Sequence, residues 1–108
     1  MAKQTRVTKS SGNVFRDLGL ENPEELLAKA QLASTINDII EEKGLTQQDT
    51  AALLGISRPR VSRLRRGHLD EFSLDCLMGF LTLLGRDVKL VVTRKPRNRP
   101  TGSIQVAV

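Results

Sequence analysis

The chain has no tryptophan and no tyrosine, and its only aromatic residues are Phe15, Phe72 and Phe80. An interior of stacked rings is thereby excluded. The core has to come from Leu, Ile, Val and Ala, which suits small packed helices. RNA modules that stack bases on exposed aromatic side chains are disfavoured by the same scarcity. Cys76 is the single cysteine, so no internal disulfide can form, which fits a reducing cytoplasm. Cys76 reads as a small core residue rather than a nucleophile. His68, the single histidine, follows Gly67 in a turn with no second His or Cys cluster near it in sequence, so no zinc set is expected and no cofactor. No apolar run approaches the roughly 20 residues that span a membrane. Lys3, Arg6 and Lys9 are not followed by the apolar stretch of a secretory signal. There is neither a glycine-rich phosphate loop nor a convincing carboxylate pair. Asp70 and Glu71 read as a loop and helix entrance, and an enzyme is not expected.

What is present is positive charge in an uneven distribution. The 108 residues carry 17 Lys and Arg against 12 Asp and Glu, a formal charge of +5. That balance is compatible with a polyanionic partner without requiring one. Residues 1–13 are polar and rich in Ser, Thr and Lys, and read as a flexible arm. Residues 14–93 read as one domain, and residues 94–108, which include the run TRKPRNRPTG, as a flexible basic tail. That tail either reaches DNA or a protein partner or serves to keep the chain solvated.

Within the domain, helix punctuation is dense. Asn22 can cap a helix, Pro23 suits its first position, and Glu24 and Glu25 complement the dipole. Leu26, Ala30, Ala33, Ile36 with Asn37, and Ile40 form an apolar stripe over a helix of about 23–43, with a break near Ser34–Thr35 allowed. Thr46 and Asp49 make a capping-box pair for a short helix, about 46–54, that stops at Gly55. Ser57 caps the next helix, to about Arg66 and Gly67. Ser73 caps another, about 73–84, with Leu74, Leu77, Met78, Leu81 and Leu84 on its apolar face. Asp87–Val92 then reads as a β-strand. A lone strand needs a partner, either the N-terminal stretch Asn13–Leu20 or a second copy, and Val88, Leu90 and Val92 are the candidate dimerisation residues.

The segment Gly55–Gly67, GISRPRVSRLRRG, holds five arginines and no acid. Its flanks have the sizes a helix-turn-helix demands. Ala51 is small where two helices cross, and Gly55 accepts a left-handed turn. Val61 and Leu64 face inward one turn apart, and Leu54 and Ile56 plug the junction. The opposite face would enter a major groove. Arg58, Pro59, Arg60 and Arg63 are the candidate base contacts, because arginine pairs bidentately with guanine and proline can touch a thymine methyl. Thr46, Gln47, Gln48, Ser57, Ser62 and Arg66 are the candidate phosphate contacts. The bland alternative is a solvated face whose arginines hold Glu41, Glu42 or Asp70 in surface pairs. Against it stands the segregation of charge: Glu21–Lys43 carries six acids against two lysines.

The stretch LTQQDTAALLGISRPRVSRLRRG resembles the helix-turn-helix of the Xre/Cro-repressor family. The longer run SSGNVFRDLGLENPEELLAKAQLASTINDIIEEKGLTQQDTAALLGIS, together with FSLDCLMGFLTLLGRDVKLVV, is similar to the HigA-type antitoxins of that family. The resemblance covers about Ser10 to Val92. It implies a mainly α, five-helix-type, lambda-repressor-like domain with one C-terminal β-strand, dimer-forming and cytoplasmic. It also implies a repressor that binds a double-stranded operator beside its own gene and neutralises a RelE-like ribonuclease toxin. The sequence departs at Arg58 and Arg60, where relatives often carry Gln and Lys, which leaves the operator sequence open. The toxin surface implied would lie on the acidic helix, at Glu24, Glu25, Asp38, Glu41 and Glu42, or on the N-terminal arm. A stand-alone repressor without a toxin is the alternative.

Overall fold

The computed structural model describes residues 23–108. The expected arm, the Asn13–Leu20 segment and the Asn22 cap lie outside the described residues. Four helices follow in order: α1 (Pro23–Lys43), α2 (Gln47–Leu54), α3 (Arg58–Arg65) and α4 (Leu74–Leu83).

Helix α1 begins at Pro23 with Glu24 and Glu25 in its first turn. It is one unbroken helix of 21 residues. The Thr35 hydroxyl donates back to the Gln31 carbonyl at 3.0 Å, so its polar group is satisfied within the helix and no break is needed. The buried stripe is Ala28, Leu32, Ala33, Ile36, Ile39 and Ile40, with Lys29 buried among them. Leu26 and Ala30, expected on that stripe, are exposed. The i, i+3, i+4 pattern fits two registers in this leucine- and alanine-rich stretch, and packing against α4 selects the one containing Ala28 and Leu32.

Helix α1 packs along α4, and α2 packs on α3. The core between them holds Leu54, Leu64, Phe72, Leu77, Phe80, Leu81 and Leu84 together with the α1 stripe. Phe72 and Phe80 meet edge to face, with centroids 6.0 Å apart and ring planes at 70°. The two rings thus form one joint inside an aliphatic core.

Past Gly85 the described residues contain no strand. The strand expected at Asp87–Val92 is therefore corrected: among the described residues its backbone finds no ladder partner, and a strand exists only through such pairing. The described residues hold four of the five helices expected of the whole domain. The chain reverses direction at a turn closed by Arg99 N–H donating to the Pro96 carbonyl at 3.3 Å. Val88 and Val106 both pack against the core, while Leu90 and Val92 stand 79% and 94% exposed. No helix among the described residues is long and apolar enough to cross a membrane.

Candidate nucleic-acid interface

The site starts with two caps and a glycine. The Thr46 hydroxyl accepts from Asp49 N–H at 3.0 Å, and the Asp49 carboxylate accepts from Thr46 N–H at 3.1 Å. The pair closes a reciprocal capping box that fixes where α2 starts. Helix α2 ends at Gly55, whose φ of 70° lies in the left-handed region. That single residue turns the chain so that α3 can begin three residues later, at Arg58. The Ser57 hydroxyl then accepts from Arg60 N–H at 3.3 Å and caps α3. Gly67, at φ 78°, closes it: His68 N–H donates to the Arg63 carbonyl at 2.9 Å and Gly67 N–H to Leu64 at 3.2 Å.

Val61 and Leu64 are buried at 1% and 0% exposure, and Leu54 and Ile56 pack beside them. Ala51 is half-buried at the α2–α3 crossing. This anchoring leaves the arginines on the remaining faces of α3, where they are not equivalent.

Arg58 is exposed, and its Nη2 donates to Gln48 Oε1 at 3.2 Å. The Gln47 amide donates to the Arg58 carbonyl at 3.1 Å, so the glutamine that begins α2 is also tied to the first turn of α3. Pro59 and Ser57 are exposed beside them. Gln47, Ser62 and Arg66 line one shallow cleft of about 300 Å³ with Thr50 and Arg65. Three of the candidate phosphate contacts are thus brought together, with Thr46 and Gln48 nearby on α2. Arg66 has no side-chain partner among the described residues.

Arg65 points elsewhere. Its Nη1 donates to the Asn37 carbonyl at 3.1 Å and to Asn37 Oδ1 at 3.2 Å, and its Nη2 lies 3.3 Å from Glu41 Oε2. Asn37 Nδ2 in turn donates to the Leu64 carbonyl at 3.4 Å. Helix α1 therefore holds the C-terminal end of α3 through a polar patch, and of the acids expected in surface pairs with the motif only Glu41 takes that part. Glu42 pairs with Arg86 at 3.5 Å, not with the motif.

Arg60 and Arg63 share an acid that sequence reasoning had placed only in a loop. Glu71 Oε1 accepts from Arg60 Nε at 2.9 Å and from Arg63 Nη2 at 3.2 Å, and Glu71 Oε2 accepts from Arg63 Nε. The Arg60 guanidinium also lies over the Phe72 ring, 4.8 Å from its centroid. The hydrogen bond from Arg63 holds the Glu71 carboxyl below its ordinary range, with burial opposing and the charge of Arg63 and bonding from Arg60 assisting. The same bond raises Arg63. The available signal was an acid beside Phe72, which follows the motif closely enough for the chain to fold back upon α3.

The helix-turn-helix domain family matches residues 14–93. A protein of Mycobacterium tuberculosis (strain ATCC 25618 / H37Rv) named "Putative antitoxin HigA3" is 35% identical over 68 residues, 62% of this chain and 62% of that relative. The match thus spans less than two thirds of the relative's length. A solved structure titled "Putative XRE Family Transcriptional Regulator" aligns with a TM-score of 0.73 at 41% identity, covering 79% of this chain and 96% of that one.

Proposed function

The chain belongs to the helix-turn-helix domain family and is an Xre-type DNA-binding regulator resembling HigA, and from that premise we propose that it is a sequence-specific autorepressor and the antitoxin of a toxin–antitoxin pair. The observation that carries the DNA half is the face of α3: Val61 and Leu64 are sunk in the core while Arg58, Pro59 and Arg66 are exposed beside the start of α2. In this reading Arg58, Pro59, Arg60 and Arg63 meet base edges. Thr46, Gln47, Gln48, Ser57, Ser62 and Arg66 hold phosphates. Two copies bind half-sites about one DNA turn apart, joined through Val88, Leu90 and Val92. The exposure of Leu90, Val91 and Val92 in one run supports that joint, since contiguous exposed apolar surface marks interaction sites.

The toxin half rests on the likeness to a protein named as an antitoxin and on the acids of α1. A basic RelE-like ribonuclease would meet Glu24, Glu25, Asp38, Glu41 and Glu42, away from the face of α3 that would meet DNA, so that toxin and operator are held at once. Glu41 and Glu42 already hold Arg65 and Arg86. Asp38 is therefore the cleaner position for charge reversal.

Binding to a duplex selected from a random pool tests the DNA half. Arg66→Ala weakens binding to every sequence alike. Arg63→Ala costs about 1–3 kcal/mol on the selected operator and relaxes choice at one base. Equal losses on operator and random DNA for both variants refute the assignment of Arg63. Co-purification from the native host tests the toxin half. A chain that recovers no small basic partner while still binding its operator is a stand-alone repressor.

A further inference from the structure

Arg60 and Arg63 lie one helical turn apart on α3, and two cations so placed repel each other. Glu71, arriving from the turn before α4, is what lets them coexist. Its grip on Arg63 is side-on, through Nε and one Nη2 proton. Arginine carries five N–H donors in a rigid fork. Such a grip leaves the Nη1 protons and the second Nη2 proton on the distal edge. That is the edge which pairs with guanine O6 and N7. Arg60 is held by the same carboxylate through Nε and is steadied by the ring of Phe72, itself fully buried. Glu71 is thus neither on the recognition helix nor part of the helix-turn-helix, yet it sets the geometry of two arginines there.

We infer that Glu71 is a specificity-determining positioning residue: it pre-orients Arg63 and Arg60 for base edges and withholds them from indiscriminate phosphate contact. The inference rests on the DNA-binding reading above. A long arginine has much rotamer freedom to lose on ordering. A free guanidinium can satisfy any phosphate within reach. A clamped one is satisfied only by an acceptor at its open edge. The carboxylate also repels phosphates, which penalises binding where no base compensates. Clamp and charge therefore act in the same direction, raising the ratio of operator to random affinity.

The variant Glu71→Gln in the full chain separates this role from a structural one. Binding to a selected operator and to a scrambled duplex is measured between about 50 and 200 mM salt. The expected result is weaker operator binding, tighter scrambled binding and a specificity ratio lower by roughly tenfold, within the range one bidentate base pair supplies. The salt slope on scrambled DNA steepens by about 0.9 for each phosphate a released arginine gains. Arg63→Lys, which keeps the charge and loses the fork, lowers the ratio with Glu71 in place. A readout without DNA accompanies these: in the wild type the Arg60 and Arg63 Nε–H resonances are ordered and exchange slowly, and in Glu71→Gln they are not. Equal shifts on both duplexes with unchanged slope overturn the inference, as do Nε–H resonances indifferent to Glu71. A wild type with ordered arginines that selects no sequence marks the DNA-binding reading, rather than the clamp, as the part that fails, and the specificity role falls with it.

Discussion

The same substitution at two glycines is expected to act with opposite sign. Gly55 has φ 70° and Gly79 lies within α4 without a left-handed φ. An added Cβ meets nothing within 4 Å at either place. Steric clash is therefore removed from the comparison, and only backbone preference remains. At Gly55 an alanine must sit in the left-handed region, at a cost of about 1–2 kcal/mol. At Gly79 an alanine enters a helix interior where glycine is the worse residue, a gain of about 0.8–1 kcal/mol. The two variants thus separate by roughly 2–3 kcal/mol although they add the same methyl group. For a domain of this size each kcal/mol moves Tm by about 4–8 °C. Urea and thermal unfolding at one fixed protein concentration measure the difference, since self-association makes stability depend on concentration. If Gly55→Ala is neutral or stabilising, α3 does not depend on the turn described for it. If Gly79→Ala destabilises, α4 has a close neighbour on that face.

Leu64→Ala, at 0% exposure between α1 and α3, lowers unfolding stability by about 2–5 kcal/mol in urea titration. Thr46→Ala removes the capping box of α2 and costs about 1 kcal/mol by the same measurement, whereas Thr46→Ser costs little. The Glu71 carboxyl, followed by NMR, titrates below the ordinary carboxylate range. Its folded pKa is depressed, so its contribution to stability is present above the ordinary carboxylate range and is lost as pH falls through the lowered value. Arg63, raised by the same bond, stays charged throughout any working range and adds no pH dependence there.

Local signals were the legible ones. Thr46 with Asp49, Ser57, Ser73 and the four glycines at 44, 55, 67 and 85 mark helix limits through hydrogen bonds within a few residues of each other. Val61 and Leu64 were assignable because the spacing of a short amphipathic helix permits one inward face. The face of α1 was misplaced at Leu26 and Ala30 because several registers are apolar there, and only α4 chooses among them. Phe72 and Phe80 were not assigned to the core, yet both are buried. Phe80 sits one turn after Leu77 on the buried face of α4, whereas Phe72 stands just before α4 and has no period to reveal its direction. Glu71 was missed for the same reason: its partners lie 8 and 11 positions away, and the turn that joins them is tertiary.

The arginine count alone overstates the electrostatic reach of the recognition helix. Arg65 is spent on Asn37 and Glu41 of α1. Arg60 and Arg63 share the charge of Glu71. Only Arg58 and Arg66 form no ion pair among the described residues, and Arg58 holds just the neutral Gln48. Counterion release follows the phosphates neutralised, at about 0.9 in slope for each. On random duplex, Arg66→Ala is therefore expected to flatten the dependence of log affinity on log salt by about 0.9 per protomer. Arg65→Ala is expected to leave that slope unchanged and to lower stability instead, because it releases the end of α3 from α1. If Arg65→Ala flattened the slope as much as Arg66→Ala, the arginines would be acting as an undivided basic coat. The partition by Asn37, Glu41 and Glu71 would then have no bearing on how the protein meets DNA.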